Sequence, residues 1–189
     1  MKKLLAIALV AGSLISGVFG QESGSKNMLD NVSLIIPTRT STSYSMTGIG
    51  FDWHGYKFNG SSFGIVTGAA FWVPMDVFDD TYGLFAFNLN GSIGASFDVI
   101  DNDMFAVFVS AGGIINMYDV MESIFRFDFG AFAEASFSYK LFDDWYFTGG
   151  VQFNYYFYSY AIYPGAGSGV PVDKRPYEIV PRIGVTFYD

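Results

Sequence analysis

Cysteine is absent from the 189-residue chain, which excludes disulfides, thiolate metal sites and a lipid-modified cysteine. Histidine occurs once, at His54. The acidic residues Asp76, Asp79 and Asp80 do not have the spacing of a calcium-binding loop. The glycine-rich segment 165–169 lacks the Lys-Ser/Thr pair of a phosphate-binding loop. We therefore expect neither a metal site nor a cofactor.

Basic residues are also scarce. The chain has 10 Lys and Arg against 18 Asp and Glu, and two of the basic residues, Lys2 and Lys3, stand at the N-terminus. The remainder carries a net charge of about −10. Because proteins that bind nucleic acids present basic patches, this balance argues against a nucleic-acid partner.

The first twenty residues have the pattern of a secretory signal peptide. Lys2 and Lys3 precede an apolar run from Leu4 to Ile15, and small residues lead to Gly20. The run is short for a membrane-spanning helix and contains glycine and serine, so a cleaved signal is the better interpretation. We predict a signal peptide over 1–20, a periplasmic lead over 21–30 and one domain over 31–189.

Long hydrophobic runs are absent beyond the predicted signal, although aromatic residues make up 20% of the chain. Apolar residues instead alternate with polar ones. In residues 125–140, FRFDFGAFAEASFSYK, one parity is Phe, Ala and Tyr, and the other carries most of the polar groups. A period of two over sixteen residues predicts a long β-strand with one apolar face.

Polar breaks divide the sequence into four hairpins. Short turn signals occur at 59–61, 101–103 and 143–144, about 42 residues apart, and longer breaks lie between them. Short turns at one end and longer loops at the other are typical of outer-membrane barrels. The eight predicted strands are 31–38, 44–58, 62–73, 83–100, 104–117, 123–141, 145–161 and 178–188.

The polar parity indicates which face meets water. In the fifth and seventh predicted strands it contains Gly, Ser, Asn, Gln, Thr and Tyr but no charge, whereas a soluble barrel would display Lys and Glu outward. Small neutral groups suit a crowded lumen. We therefore predict that the apolar parity faces lipid. A soluble, lipocalin-like ligand-binding barrel remains an alternative, because a signal peptide and alternation fit it equally well.

The hairpin layout and the C-terminal residues 182–189, RIGVTFYD, carry a family resemblance. The chain resembles the small eight-stranded outer-membrane β-barrel proteins, the group of the OmpA transmembrane domain, OmpX and OmpW. The resemblance implies an all-β, antiparallel up-and-down barrel in the outer membrane of a diderm bacterium. It also implies that the C-terminal residues bind the barrel-assembly machinery, and we expect a monomer surrounded by outer-membrane lipid.

Charged residues on the inward parity must pair inside so narrow a barrel. Counting from the turns places Asp52, Glu134 and Arg182 at similar heights, so we predict a mid-lumen cluster of these three. Nearer the periplasmic rim, Asp98 and Lys140 are predicted at matching depths. Such a cluster forms either a gate across a pore or a plug, and eight strands leave little more room than side chains fill.

Other candidate residues have structural interpretations. Gln152 and Asn154 flank the mid-lumen cluster, and His54 is predicted to be a hydrogen-bond partner in the lumen. A lone inward histidine near a periplasmic turn does not suit a catalytic triad, so we expect no enzyme. The remaining candidates are aromatic: Trp145 and Phe187 are predicted in the periplasmic aromatic belt, and Tyr156, Tyr158 and Tyr160 on the inner face towards the outer rim.

The pattern therefore favours a structural or surface-interaction protein with a plugged lumen, in which an extracellular ligand or host surface is the candidate partner. A narrow diffusion channel for small solutes is the second hypothesis.

Overall fold

The structure is a computed structural model. It describes residues 28–42, 45–58, 62–75, 87–101, 104–119, 125–142, 144–162, 170–171 and 175–188. The predicted signal peptide and most of the predicted lead lie outside these residues, as do the acidic group at 76–80 and the glycine-rich segment 165–169. Within the described ranges, no helix has the length and apolarity needed to cross a membrane.

The described residues form ten β-strands. They are β1 (Met28–Ile35), β2 (Thr38–Thr40), β3 (Ser45–Phe58), β4 (Phe63–Pro74), β5 (Phe87–Asp101), β6 (Phe105–Asp119), β7 (Phe125–Phe142), β8 (Trp145–Ile162), β9 (Val170–Pro171) and β10 (Tyr177–Tyr188).

The strands close into an antiparallel ring. Each of β3 to β8 pairs with the next strand along the chain, and β8 pairs with β10. Both β1 and β2 pair with β10 on one side and β3 on the other, which closes the ring. The two count as one barrel strand, interrupted at Pro37, which has no N–H to donate. The two-residue strand β9 only extends β8. The predicted eight-stranded up-and-down barrel is therefore confirmed.

The predicted strand positions agree closely with the structure. Where the structure describes the predicted end of a strand, the observed end lies within three residues of it. The largest difference is at Met28, where β1 begins three residues before the predicted residue 31. The short connections between β3 and β4, β5 and β6, and β7 and β8 lie at one end of the barrel, here called the turn end. The other connections between barrel strands lie at the opposite end, the loop end.

Burial alternates along the strands as predicted. In β7, even-numbered residues from Arg126 to Ser138 are buried, and most odd-numbered ones are exposed. The outer face exposes large apolar side chains such as Phe51, Ile93 and Phe137, at 64%, 63% and 42%. A barrel with this exterior has its polar groups inside.

A β-bulge reverses the alternation in β8. The register shifts where Phe129 and Gly130 of β7 pair with Tyr158 and Tyr156, so one extra residue is inserted in β8. Tyr156 is fully buried as predicted, but the inward placement of Tyr158 is wrong, because its side chain is 47% exposed on the outer face. Tyr160 shares the outward parity of Tyr158, and Ser159 is buried instead.

Candidate functional site

Arg182 is the centre of a buried cluster halfway along the lumen. Its Nη2 lies 2.7 Å from Asp52 Oδ2 and its Nη1 lies 2.7 Å from Glu134 Oε1. Tyr56 donates a hydrogen bond of 2.5 Å to the same Glu134 oxygen. The strands that carry Asp52 and Glu134, β3 and β7, lie on opposite sides of the ring. The guanidinium therefore ties the two walls of the barrel together.

Neutral polar groups surround this guanidinium. Arg182 Nη2 donates to Gln152 Oε1 at 2.9 Å and lies 3.1 and 3.2 Å from the two ring nitrogens of His54. Gln152 in turn donates to Asn154 Oδ1 at 2.7 Å. The structure thus brings together every residue predicted around the middle of the lumen. We call Asp52, His54, Glu134 and Arg182 the mid-lumen cluster.

A second cluster lies nearer the loop end and was not predicted from the sequence. Arg39, on β2, donates to Glu178 Oε1 at 2.8 Å and also pairs with Asp128. Arg126 Nε donates to Asp128 Oδ1 at 3.0 Å, and Ser159 donates to the same oxygen. Both Arg39 and Glu178 are fully buried. Arg39, Arg126, Asp128 and Glu178 form the loop-end cluster.

The guanidinium group of Arg39 also packs against two aromatic rings. Its guanidinium carbon lies 4.6 Å from the centre of the Tyr118 ring and 4.9 Å from that of Tyr156. Arg126 lies 5.4 Å from the Tyr118 ring. These are distances at which a cation is attracted to the face of an aromatic ring.

The two clusters are joined by hydrogen bonds. Asn154, which accepts the hydrogen bond from Gln152, donates from its Nδ2 to Glu178 Oε2 at 3.0 Å. A continuous path therefore runs from Arg182 through Gln152, Asn154 and Glu178 to Arg39. The sequence signal for the loop-end cluster was the inward parity of Arg126 and Asp128. Their partner Arg39 was not found, because the first predicted strand ended at residue 38.

The turn end of the lumen is filled differently. On one side, aromatic rings stack: Tyr56 on Phe108 with centroids 5.6 Å apart, and Phe58 on Phe108 at 5.7 Å. This apolar layer was not predicted. Across the lumen, hydroxyl groups form a chain through Ser138, Thr148 and Thr186, with oxygens 2.9 and 2.6 Å apart. Rings and hydroxyls together fill this section.

Asp98 and Lys140 are both half-buried near the turn end. The register pairs Asp98 with Phe108, and Phe108 with Ser136. Lys140 lies four residues beyond Ser136, but rows of paired residues are tilted relative to the barrel axis, so this offset does not measure depth. Counted along their strands, Asp98 lies three residues from the end of β5 at Asp101 and Lys140 two residues from the end of β7 at Phe142, and their matching depth stays a prediction. A β-bulge beside each, at Asp98/Ile100 and at Lys140/Phe142, also shifts the register locally.

Trp145 and Phe187 lie on the outer face at the turn end. Their ring centroids are 5.7 Å apart, and Phe142 stacks on Trp145 at 6.2 Å. On the same face, Trp53 Nε1 donates to Asp30 Oδ1 at 2.8 Å. Their place in an interfacial aromatic belt stays a prediction.

Among the described residues, no group of three or more His, Asp and Glu side chains has a metal-binding arrangement. The mid-lumen carboxylates contact arginine instead.

The sequence matches no protein-family model and gives no significant match to a curated protein. Solved structures do match. Neisserial surface protein A is 11% identical with a TM-score of 0.66, covering 88% of this chain and all of that one. OprG from Pseudomonas aeruginosa is 12% identical with a TM-score of 0.54, covering 87% and 96%. Ail of Yersinia pestis is 11% identical with a TM-score of 0.52, covering 86% and 99%. The chain therefore has the fold of small outer-membrane β-barrels.

Proposed function

We propose that the protein resides in the outer membrane of a diderm bacterium, after signal-peptide cleavage, as a plugged and non-enzymatic barrel with a structural or surface-interaction role. The exposed apolar exterior supports insertion in lipid. In a soluble lipocalin-like barrel, side chains such as Phe51 and Ile93, more than 60% exposed, would face water instead. The turn end faces the periplasm and the loops face outward, as in other barrels of this layout.

The main support for a plugged lumen is that side chains fill it at the loop end, in the middle and at the turn end. Two arginine-centred clusters occupy the loop end and the middle, and stacked rings with a hydroxyl chain occupy the turn end. Eight strands leave an interior just wide enough for side chains. External molecules therefore bind to this protein at its loops, and solutes do not pass through its lumen.

The loops are the proposed contact surface for an extracellular ligand or host surface. Ail has been crystallised with the heparin analogue sucrose octasulfate. This chain has a pI of about 4.4, so repulsion would oppose a sulfated ligand. We infer a neutral or cationic partner. Within the membrane, we propose that the protein is a monomer and that the barrel-assembly machinery recognises its C-terminal strand.

A narrow diffusion channel is the second candidate function, because the middle of the lumen is polar. Both functions are tested by conductance in planar lipid bilayers. A plugged barrel is silent, and so is Phe108→Ala, because the two charge clusters remain closed. Discrete conductance steps that grow in Arg182→Ala or Glu134→Ala would establish the channel instead. Phe137→Ala, which removes a ring from the outer face, is the matched control.

Membrane insertion is tested by fractionation and by gel mobility. A folded barrel should resist extraction by urea or alkaline washes and migrate differently before and after boiling. Release into the periplasmic fraction without detergent would contradict the proposal and support the soluble alternative.

A further inference from the structure

A small polar cavity interrupts the packing beside the mid-lumen cluster. Its volume is about 10 Å³, and Asp52, His54, Ala70, Asn90 and Ser92 are among its lining residues. That volume is about what one water molecule needs.

Two buried oxygen atoms belong to residues that line this cavity and accept no hydrogen bond from the described protein groups. They are Asp52 Oδ1 and Asn90 Oδ1, and their residues are 3% and 6% exposed. Leaving such acceptors unsatisfied costs about 1–3 kcal/mol each. Both atoms are acceptors, so the group that satisfies them must donate.

The β-sheet register explains why Asp52 and Asn90 line the same cavity. Asp52 pairs with Ala70, and Ala70 pairs with Asn90. The same row continues through Asn116 to Asp128 of the loop-end cluster. Ala70 is the only residue without a polar side chain between Asp52 and Asp128, and its methyl group leaves the gap between two polar neighbours.

We propose that this cavity binds one ordered water molecule, which donates hydrogen bonds to Asp52 Oδ1 and Asn90 Oδ1. The water completes the polar row that connects the mid-lumen cluster to the loop-end cluster, opposite the path through Gln152 and Asn154. The interior of the barrel then holds a resident ligand in addition to the side chains that form the plug.

A small cation is the competing occupant, and the available ligands disfavour it. Ca²⁺ takes about six to eight oxygen ligands. The amide oxygens of Gln152 and Asn154, which also line the cavity, already accept hydrogen bonds from Arg182 and Gln152. A water molecule needs only two to four partners.

The test is water-edited solid-state NMR of the full-length protein in lipid vesicles. Magnetisation should pass from water to the Asn90 carboxamide at least fivefold more strongly than to that of Asn31, which is hydrogen-bonded to Val185, Ser33 and Thr186. Ala70→Leu should abolish the Asn90 signal by filling the cavity. Ala131→Leu, the same change on the exposed outer face, should leave it intact.

Ala70→Val covers the case in which Ala70→Leu does not fold, as judged by the mobility of unheated samples. Its two added methyl groups take the place of the water, so the Asn90 signal should again be lost. Equal transfer to Asn90 and Asn31 would overturn the proposal, as would a signal that persists in both Ala70 variants. Asn90 resonances that shift when K⁺ replaces Na⁺ would identify a cation and also overturn it.

Discussion

The mid-lumen and loop-end clusters both neutralise charged side chains buried in the lumen, but with different numbers of cations and anions. In the mid-lumen cluster one guanidinium, Arg182, faces the two carboxylates of Asp52 and Glu134. In the loop-end cluster, two guanidinium groups face two carboxylates, and Tyr118 lies against both cations. The first cluster depends on one residue, whereas the second distributes its contacts over several.

This difference shows where the barrel is vulnerable. Burying an ion is expensive, and a buried pair with one partner removed leaves an uncompensated charge. Removal of Arg182 leaves two carboxylates without their shared cation. Removal of Arg39 leaves Asp128 with Arg126, and leaves Glu178 with donors from Asn154 and Tyr156.

The largest effect is therefore expected for Arg182→Leu. We expect the free energy of unfolding to fall by about 3–5 kcal/mol, the usual cost of breaking a buried ion pair. The measurement is urea unfolding in lipid vesicles. Arg175→Leu, at an exposed arginine, is the matched control and should change stability little. If Arg182→Leu lowered the free energy of unfolding less than Arg39→Leu does, the loop-end cluster would be the more vulnerable one, contrary to this account.

Arg39→Leu should cost less, about 1.5–3 kcal/mol, since hydrogen bonds to charged groups are lost while each carboxylate keeps a donor. The double variant Arg39→Leu/Glu178→Leu should recover most of this loss, because replacing both partners of a buried pair by apolar groups is often neutral. In the mid-lumen cluster, Arg182→Leu/Glu134→Leu should recover less, because Asp52 stays uncompensated. If the two double variants regained equal stability, the proposed difference in charge balance between the clusters would be contradicted.

Tyr118→Leu tests the aromatic support that only the loop-end cluster has. Loss of the two cation–π contacts should lower the free energy of unfolding by about 0.5–2 kcal/mol. Tyr155→Leu removes a ring from the outer face and is the control. A larger loss in Tyr155→Leu would show that the rings matter for membrane contact and not for Arg39.

The smallest effect concerns the path between the clusters. A double-mutant cycle of Arg182→Leu and Arg39→Leu should give a coupling of about 0.5 kcal/mol, at the low end for residues in one hydrogen-bond network. Repeating the cycle with Asn154→Leu should reduce the coupling, because Asn154 is the residue that bonds Glu178 to Gln152. Coupling that Asn154→Leu leaves unchanged would assign all of it to another route, such as the row through Asn90 and Asn116.

Strand period and turn chemistry were enough to predict the barrel, its strand positions and the residues that meet around Arg182. Each of these features follows from alternation and from counting along regular strands. The outward placement of Tyr158 did not follow, because a β-bulge in β8 resets the alternation. Arg39 was missed because the first predicted strand ended at residue 38, whereas β2 continues to Thr40. The aromatic layer was missed because Phe108 lies on the same parity as Ser110, Gly112 and Asn116, which was interpreted as small and polar.

The central claim is that hydrocarbon surrounds the outer face while the inner face stays sealed. Because the chain contains no cysteine, single cysteines for spin labels can be placed along β7 without background. Labels at Ala131, Ala133 and Ala135 should be reached by oxygen and not by a water-soluble nickel chelate, whereas labels at Ser136 and Ser138 should be poorly reached by both. Free access of the nickel chelate to the three alanine positions would contradict the account.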